Sequence, residues 1–527
     1  MTNTVDGAYK IGIDVGGTTI DFVVVERGGR LCYAHKVLIN DTLEHCFSRG
    51  LNDLMTQFSL HPQHCFRIHL GTTLAVNSLL TERDLYRVGI LRLAGQKPSL
   101  PPVLSFSPSQ KRVMFAGYET VNGGRNYNHT EITPIHRSEI IQATKKLLHQ
   151  GAESLGLVGV FSPLYPDEEE TAQKIILEAV DATLPITVSH QFGGIDFIER
   201  ENNVILNAAL KKVIRQHFER LSDTLINLGF HCPLFVTQNN GTLITIQDAI
   251  HFPLKTISSG PTNSLVGACQ LSGCRNAIVI DIGGTSTDIG VVENGFPRYA
   301  IEGGTVARIP LNFMLPDIHV LPYGGGSVIR SEQGIEQIMH ESIGARIFKE
   351  SISVGGHTLT LFDIGNRLKD FASYPTLSII QEKHAKRLMQ QVIDEIHQVV
   401  CCLQASSSTT LTCILVGGGS AMIPHALLRE HYQRPNHYAV ANAYGAALAE
   451  ISATLDQVFY LDRNREQTLK TCEEEAKRRT VSAGADPQTV RIIDKQLLPF
   501  YYMPNQMTRV LMTAAGKIKE DAHHECY

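Results

Sequence analysis

An aspartate ending an apolar run, followed by two glycines and a threonine, makes a small chemical kit. The carboxylate suits a magnesium ion, and the bare backbone N–H groups of the glycines can approach a phosphate closely. The chain carries this kit twice: Asp14 with Gly16, Gly17, Thr18 and Thr19 in IGIDVGGTTIDFVVVE, and Asp281 with Gly283, Gly284, Thr285 and Ser286 in IVIDIGGTSTDIGVVE. Laid over each other, the two stretches also match Asp21 with Asp288, Val24-Val25-Glu26 with Val291-Val292-Glu293, and Gly28 with Gly295. So many matches in one register mark an internal repeat, and such repeats decide architecture. A third glycine-rich turn, Gly417-Gly418-Gly419-Ser420, follows another apolar run. A single Asp-x-Gly-Gly-Thr also reads as a hairpin turn with a solvated aspartate. Two copies and a glycine triplet favour a nucleotide clamp, in which facing hairpins cradle a triphosphate and the triplet admits base and ribose.

These residues need elements to position them. Each copy reads as a hairpin: a buried strand, a tight glycine turn, a second apolar strand, and another turn at Gly28 or Gly295. The rest alternates in the α/β manner. Helical periodicity marks 138–150, 172–180, 201–220, 384–404 and VANAYGAALAEI, and SGPTNSLVGA opens another helix at Ser259. Strand patterns mark 154–160, ITVSH, LFVTQNNGTL and LTCILV. The tail holds a charged helix around 463–483 and short strands near VRII and TRVLMTA, whereas 94–136, rich in Pro, Gly and Ser, reads as a loop or small insertion. The expected divisions are 1–190 as a first lobe with one phosphate hairpin, 191–455 as a second lobe with the other hairpin and the adenosine loop, and 456–527 as a small α+β segment.

At 527 residues the chain is too long for one compact core. Its 43% hydrophobic and 19% charged composition is that of an ordinary globular protein, and a formal charge of −5 gives no reason to expect a nucleic-acid surface. No apolar run is long enough for a membrane span and the polar N-terminus is no secretory signal, so a cytoplasmic protein is expected. Eleven cysteines without a CxxC suit reduced core residues. The vicinal Cys401-Cys402 reads as a buried helix pair or, less simply, a soft-metal ligand. No HExxH, GxSxG or GxxxxGK[ST] motif is present, which weakens zinc-hydrolase, serine-hydrolase and P-loop readings.

Two phosphate hairpins, a glycine-rich adenosine loop and a small-residue helix with Asn442, Ala443, Gly445 and Ala446 resemble the actin, sugar-kinase and heat-shock ATPase superfamily. Within it the chain resembles the hydantoinase/oxoprolinase family, ATP-dependent openers of cyclic amides, through HLGTTLAVNSLL, ERENNVILNAAL, SGPTNSLVGA, PDIHVLPYGGGS, LVGGGSAMIP and the tail LPFYYMPNQMTRV. The resemblance implies a two-lobed actin-like α/β fold built on duplicated ribonuclease H-like units, using ATP and Mg²⁺. It gives Thr72 a substrate or phosphate role and sets Arg200 and Asn202 at the cleft; from the residues alone Thr72-Thr73 is also a plain helix cap, and Glu199-Arg200-Glu201-Asn202 a solvated helix start. Asp14 and Asp281 are expected to hold Mg²⁺–ATP, with Asp281 orienting the nucleophile and Gly417–Gly419 with Asn442 shaping the adenosine pocket. Asp288 lies past the turn and is the weaker candidate. Asp317 and His319, two apart before Gly324-Gly325-Gly326-Ser327, read either as ligands of a second divalent metal or as a hydrogen-bonded pair.

Phosphorylating the carbonyl oxygen of an unstrained amide would make it a far better electrophile for water. The longer family members carry a second, carbonyl-chemistry part that this chain lacks, so a separate partner subunit is expected beside the cyclic amide, and further copies of the chain are a natural partner too. The rival readings are a small-molecule kinase and an ATP-driven activator or conformational protein.

Overall fold

Both copies of the repeat fold as expected, as antiparallel hairpins of Tyr9–Val15 with Thr19–Glu26 and of Ala277–Ile282 with Thr287–Glu293. The structure, a computed structural model, describes residues 8–95, 100–300, 303–332, 335–368, 380–407, 409–428, 431–461 and 464–519. The first strand of each hairpin has a parallel neighbour on its other side, Cys65–Thr72 in one case and Thr412–Val416 in the other. The second strand of each meets an antiparallel partner, Leu31–Leu38 or Ile318–Leu321. The sequence repeat is therefore a repeat of sheet topology, the core of an actin-like two-lobed α/β fold. Near-continuous burial along Tyr9–Val15 and Ala277–Ile282 is what a strand covered on both faces requires.

The first lobe's sheet has nine strands, ordered Arg491–Pro499, Met507–Gly516, Ile451–Tyr460, Leu243–Thr245, Leu234–Thr237, Cys65–Thr72, Tyr9–Val15, Thr19–Glu26, Leu31–Leu38. Sheet pairing thus cuts across the boundaries expected at 190 and 456. The tail strands are neither short nor separate: ten residues of Ile451–Tyr460 pair with Met507–Gly516, and Leu243 joins them to the sheet by pairing with Ile451. Alternation in sequence marks a strand but not its neighbour, so the tail's place was not readable from pattern. The tail helix is Arg465–Ser482; residue 463, expected at its start, lies outside the described residues.

Between the strand Cys65–Thr72 and the long helix Phe197–Asn227 sits a smaller parallel sheet of Phe115–Val121, Val88–Leu93, Ser154–Gly159 and Ile186–Val188. Of the two readings of 94–136, it removes the plain loop and leaves the small insertion. Apart from 96–99, which lie outside the described residues, this stretch supplies the helix Pro108–Met114 and the strand Phe115–Val121. Ser107 and Gln110 close a reciprocal capping box at that helix's start, a signature present in the sequence that Pro and Gly content obscured.

Two helices join the lobes. Ser259–Ser272 packs against Ala441–Leu448, and each presents a glycine to the other's backbone. A Cβ at Gly267 would stand 1.8 Å from the Ala441 carbonyl oxygen, and one at Gly445 would stand 2.0 Å from that of Asn263. Only glycine permits this approach. Cys401 and Cys402 lie on the helix Glu382–Ala405 as expected, but both are exposed, because that helix turns Val400 and Leu403 to the core instead. Among the described residues no helix is long and apolar enough to cross a membrane.

Candidate functional site

The two hairpin turns are closed by the same hydrogen bond: Gly16 N–H donates to the Thr19 carbonyl at 3.0 Å, and Gly283 N–H to the Ser286 carbonyl at 2.9 Å. They face one another across the lobes: a Cβ at Gly284 would stand 3.7 Å from the Thr18 side chain. Beside each aspartate stands a glycine, Gly71 on the neighbouring parallel strand in one case and Gly417 directly after it in the other. A Cβ at Gly71 would meet Asp14 Oδ1 at 2.2 Å, and one at Gly417, whose φ is +82°, would meet Asp281 Oδ1 at 2.1 Å. The third turn continues onto the second hairpin, since a Cβ at Gly419 would fall 2.7 Å from the Gly283 carbonyl oxygen. By contrast Gly17 and Gly418 have nothing within 4 Å of such a Cβ. Their backbones border open space, where a ligand can approach.

Gly324–Ser327 also belongs here. Gly325 and Gly326 donate to the carbonyls of Gly283 and Gly284 at 3.0 and 2.7 Å, so this loop backs the second turn. The sequence displayed the glycines without displaying what they pack against.

Two pairs of carboxylates lie at the turns. Antiparallel register sets Asp14 opposite Asp21 and Asp281 opposite Asp288. Burial pushes the Asp14 carboxyl up to about 6; Asp21 and Asp281 add to this, while hydrogen bonds from Asn263 (2.9 Å) and Asn442 (3.0 Å) oppose it. Burial likewise raises Asp281, against a Ser264 hydrogen bond and the Lys36 charge. Asp288 is raised to about 7 by burial and by Asp281. Asp21 accepts from Asn442 at 2.8 Å and is ion-paired with Lys36. Desolvated like charges in one place are costly until a cation joins them, so the donor set fits a divalent ion. It does not complete a metal site alone: among the described residues no three His, Cys, Asp or Glu side chains are grouped to hold one. Phosphate oxygens and water would have to fill the remaining positions.

The other expected residues distribute unevenly. Thr72 flanks Asp14 on the parallel strand, opposite Val15, and its hydroxyl accepts from Leu74 N–H at 3.1 Å at the start of the following helix. Asn442 donates its amide to Asp14 and Asp21 and so ties the carboxylates to the start of its helix. Arg200 is fully buried, and its guanidinium is committed to Ser162, Ser189, the Gly159 carbonyl at 2.9 Å and Glu169 at 3.9 Å. None of these lies in the cluster; Arg200 pins the smaller sheet to the long helix. Asn202 donates to the Pro310 carbonyl at 2.9 Å. Asp317 is held by Arg298 at 2.8 Å and lies 3.4 Å from His319 Nε2, the arrangement of a hydrogen-bonded group and not of a metal pair. Sequence reasoning missed Lys36, Gly71, Asn263 and Ser264. The last three sit inside HLGTT and SGPTNSLVGA, stretches already marked, whereas Lys36 carried no signal of its own.

With this geometry in hand, comparison with known proteins agrees. The caprolactamase subunit alpha of Pseudomonas jessenii is 25% identical over 382 residues, covering 67% of this chain and 53% of that subunit. The acetophenone carboxylase gamma subunit of Aromatoleum aromaticum is 24% identical over 369 residues, covering 63% and 49%. The chain spans about half the length of the curated relatives it matches. The crystal structure of the ATP-dependent caprolactamase from Pseudomonas jessenii shares the fold, with TM-score 0.75 and 18% identity over 97% of this chain and 88% of that one. Nucleotide-free acetone carboxylase does so with TM-score 0.69 and 16% identity, at the same coverage. A model of the hydantoinase/oxoprolinase N-terminal region matches residues 10–180 and the hydantoinase/oxoprolinase model itself matches 200–397, and the chain therefore belongs to the hydantoinase/oxoprolinase family.

Proposed function

We propose that the chain is the ATP-using part of an enzyme that opens a cyclic amide, a hydantoin, 5-oxoproline or related lactam, by phosphorylating its carbonyl oxygen. The observation that carries this reading is the pair of matching Asp-x-Gly-Gly-Thr turns facing each other over four carboxylates. The Gly16–Thr19 and Gly283–Ser286 turns, whose Gly16 and Gly283 N–H groups are taken up in closing them, cradle the phosphates, and Gly417–Gly419 border the adenosine, with Gly418 open to it. Asp14 and Asp281 would hold Mg²⁺, directly or through water; bound there, the ion would supply neutralisation of the phosphate charge. Asp281 orients the nucleophile. In-line transfer needs mostly positioning and charge stabilisation, which two lobes closing on a nucleotide provide. The caprolactamase relative supports a lactam substrate, and the naming of these relatives as subunits supports a separate partner.

A second reading is favoured by the carboxylase relatives, whose named compounds, acetophenone and acetone, are ketones. Ketones share with lactams a carbonyl oxygen open to phosphorylation. The test is ADP release across hydantoins, lactams and simple ketones, with and without the product of an adjacent gene. Release stimulated by a cyclic amide, with ring-opened product, is expected. Stimulation by ketones alone moves the assignment to the second reading, a stable phosphorylated product to a kinase, and stimulation by protein alone to an activator. Asp281→Ala should abolish ATP turnover while leaving circular dichroism unchanged; undiminished turnover removes the site assignment.

A further inference from the structure

Lys36 stands on the strand Leu31–Leu38, directly across from Asp21 in the antiparallel register. Its ammonium is ion-paired with Asp21, and its charge also favours ionised Asp281, which belongs to the other lobe. This cation therefore acts on carboxylates from both hairpins. Asp21 does not depend on it alone, because Asn442 already donates to the other carboxylate oxygen at 2.8 Å. Nor is the lysine sealed away: its side chain is 35% exposed, against 4% for that of Asp21. Lys36 thus acts on two members of the cluster, Asp21 through the ion pair and Asp281 through its charge. A nucleotide bringing several negative charges to the hairpins meets this ammonium beside them.

We propose that Lys36 is a catalytic residue that receives the terminal phosphate of the bound nucleotide, with Asp21 as its positioning partner. The inference rests on the ATP reading above. A compact ammonium on a flexible four-carbon stem can leave Asp21 for a phosphate oxygen without moving the strand, and Asn442 keeps Asp21 satisfied meanwhile. As transfer proceeds, a bond forms between the acceptor oxygen and the γ-phosphorus, and the bond from that phosphorus to the β,γ-bridging oxygen breaks. The electron pair of the broken bond leaves with ADP. Lys36 keeps its proton throughout and stabilises the charge on the transferring group's equatorial oxygens.

ADP lacks the phosphate that Lys36 meets, so discrimination between the two nucleotides is the readout. Calorimetric titration of Lys36→Met with MgATP and MgADP should show ATP affinity lowered roughly tenfold to a hundredfold, as for loss of one charge-assisted hydrogen bond, with ADP affinity unchanged. Lys36→Arg should keep the wild-type ATP-to-ADP ratio, and turnover should fall in the Met variant far more than in the Arg variant. Circular dichroism checks the fold, and Lys36→Gln carries the same titration if the Met variant does not fold. Equal losses for ATP and ADP, or none for either, overturn the proposal. Wild-type protein that binds neither nucleotide overturns the ATP reading itself, and this inference with it.

Discussion

Replacing Gly267 by alanine tests how the two lobes are joined, because propensity and packing then predict opposite signs. Gly267 lies inside the helix Ser259–Ser272, where alanine is ordinarily better than glycine by about 1 kcal/mol. Its added Cβ, however, would stand 1.8 Å from the Ala441 oxygen, 2.7 Å from the Ala441 carbonyl carbon and 2.9 Å from Gly445 N. All three are backbone atoms, so no rotamer change relieves the clash. Real Cβ atoms essentially never come closer than 3.0 Å, and moving from 1.8 to 3.0 Å parts the helices by about 1.2 Å. Overpacking of this kind costs about 3 kcal/mol, the upper end of the usual range, because backbone must move. Set against the propensity gain, the expected net loss is about 2 kcal/mol. The same displacement carries Asn263, on the same helix, away from Asp14, where its amide now donates at 2.9 Å, and ends that hydrogen bond. Urea unfolding followed by circular dichroism measures the stability, and ATP titration measures the site. Gly273→Ala is the control: at φ +73° with nothing within 4 Å, it should cost about 1 kcal/mol of backbone strain and leave ATP affinity alone. A Gly267→Ala protein as stable as wild type, or more so, would refute the reasoning, since propensity would then have outweighed the contact.

Two other outcomes follow from the same geometry. Gly71→Ala would put a methyl 2.2 Å from both Asp14 Oδ1 and Asn263 Nδ2, and titration should show at least a roughly tenfold loss of ATP affinity with an unchanged far-UV spectrum. His69 is buried with its value lowered to about 3, chiefly by burial, so the folded protein holds it neutral while the unfolded chain protonates near 6.5. Its stabilising effect is full above pH 6.5 and is lost as pH falls toward 3. Between pH 7.5 and 5.5 wild type should therefore lose about 1.4 kcal/mol more than His69→Gln in urea unfolding. Parallel pH profiles for the two proteins would show that His69 titrates normally.

Much of the site was legible because its marks are local. A strand ending in aspartate, followed by two glycines, specifies a turn wherever it occurs, and the structure closes both turns with the same hydrogen bond. Lys36 was not legible: LCYAHKVL announces a strand, but only pairing with Thr19–Glu26 sets that lysine across from Asp21. Arg200 misled for a related reason. A charged residue at the start of a helix reads as exposed, whereas the smaller sheet closes over it and Glu169, Ser162 and Ser189 occupy its guanidinium. Cys401 and Cys402 show the limit at finer scale, since Val400 and Leu403 won the core face of a helix that cannot turn four consecutive residues inward.

By itself the sequence determined the elements, the duplication, the two carboxylate-and-glycine turns and the family, because each depends on residue type at short spacing. Tertiary structure alone decided which residues meet. Parallel pairing sets Gly71, and Gly417 just past its strand, against Asp14 and Asp281, and the reciprocal glycines of two crossing helices bring Asn263 and Asn442 to Asp14. The reason is physical: backbone propensity and periodicity act over a few residues, while sheet order and helix crossing join positions hundreds of residues apart. No local pattern records where those contacts fall.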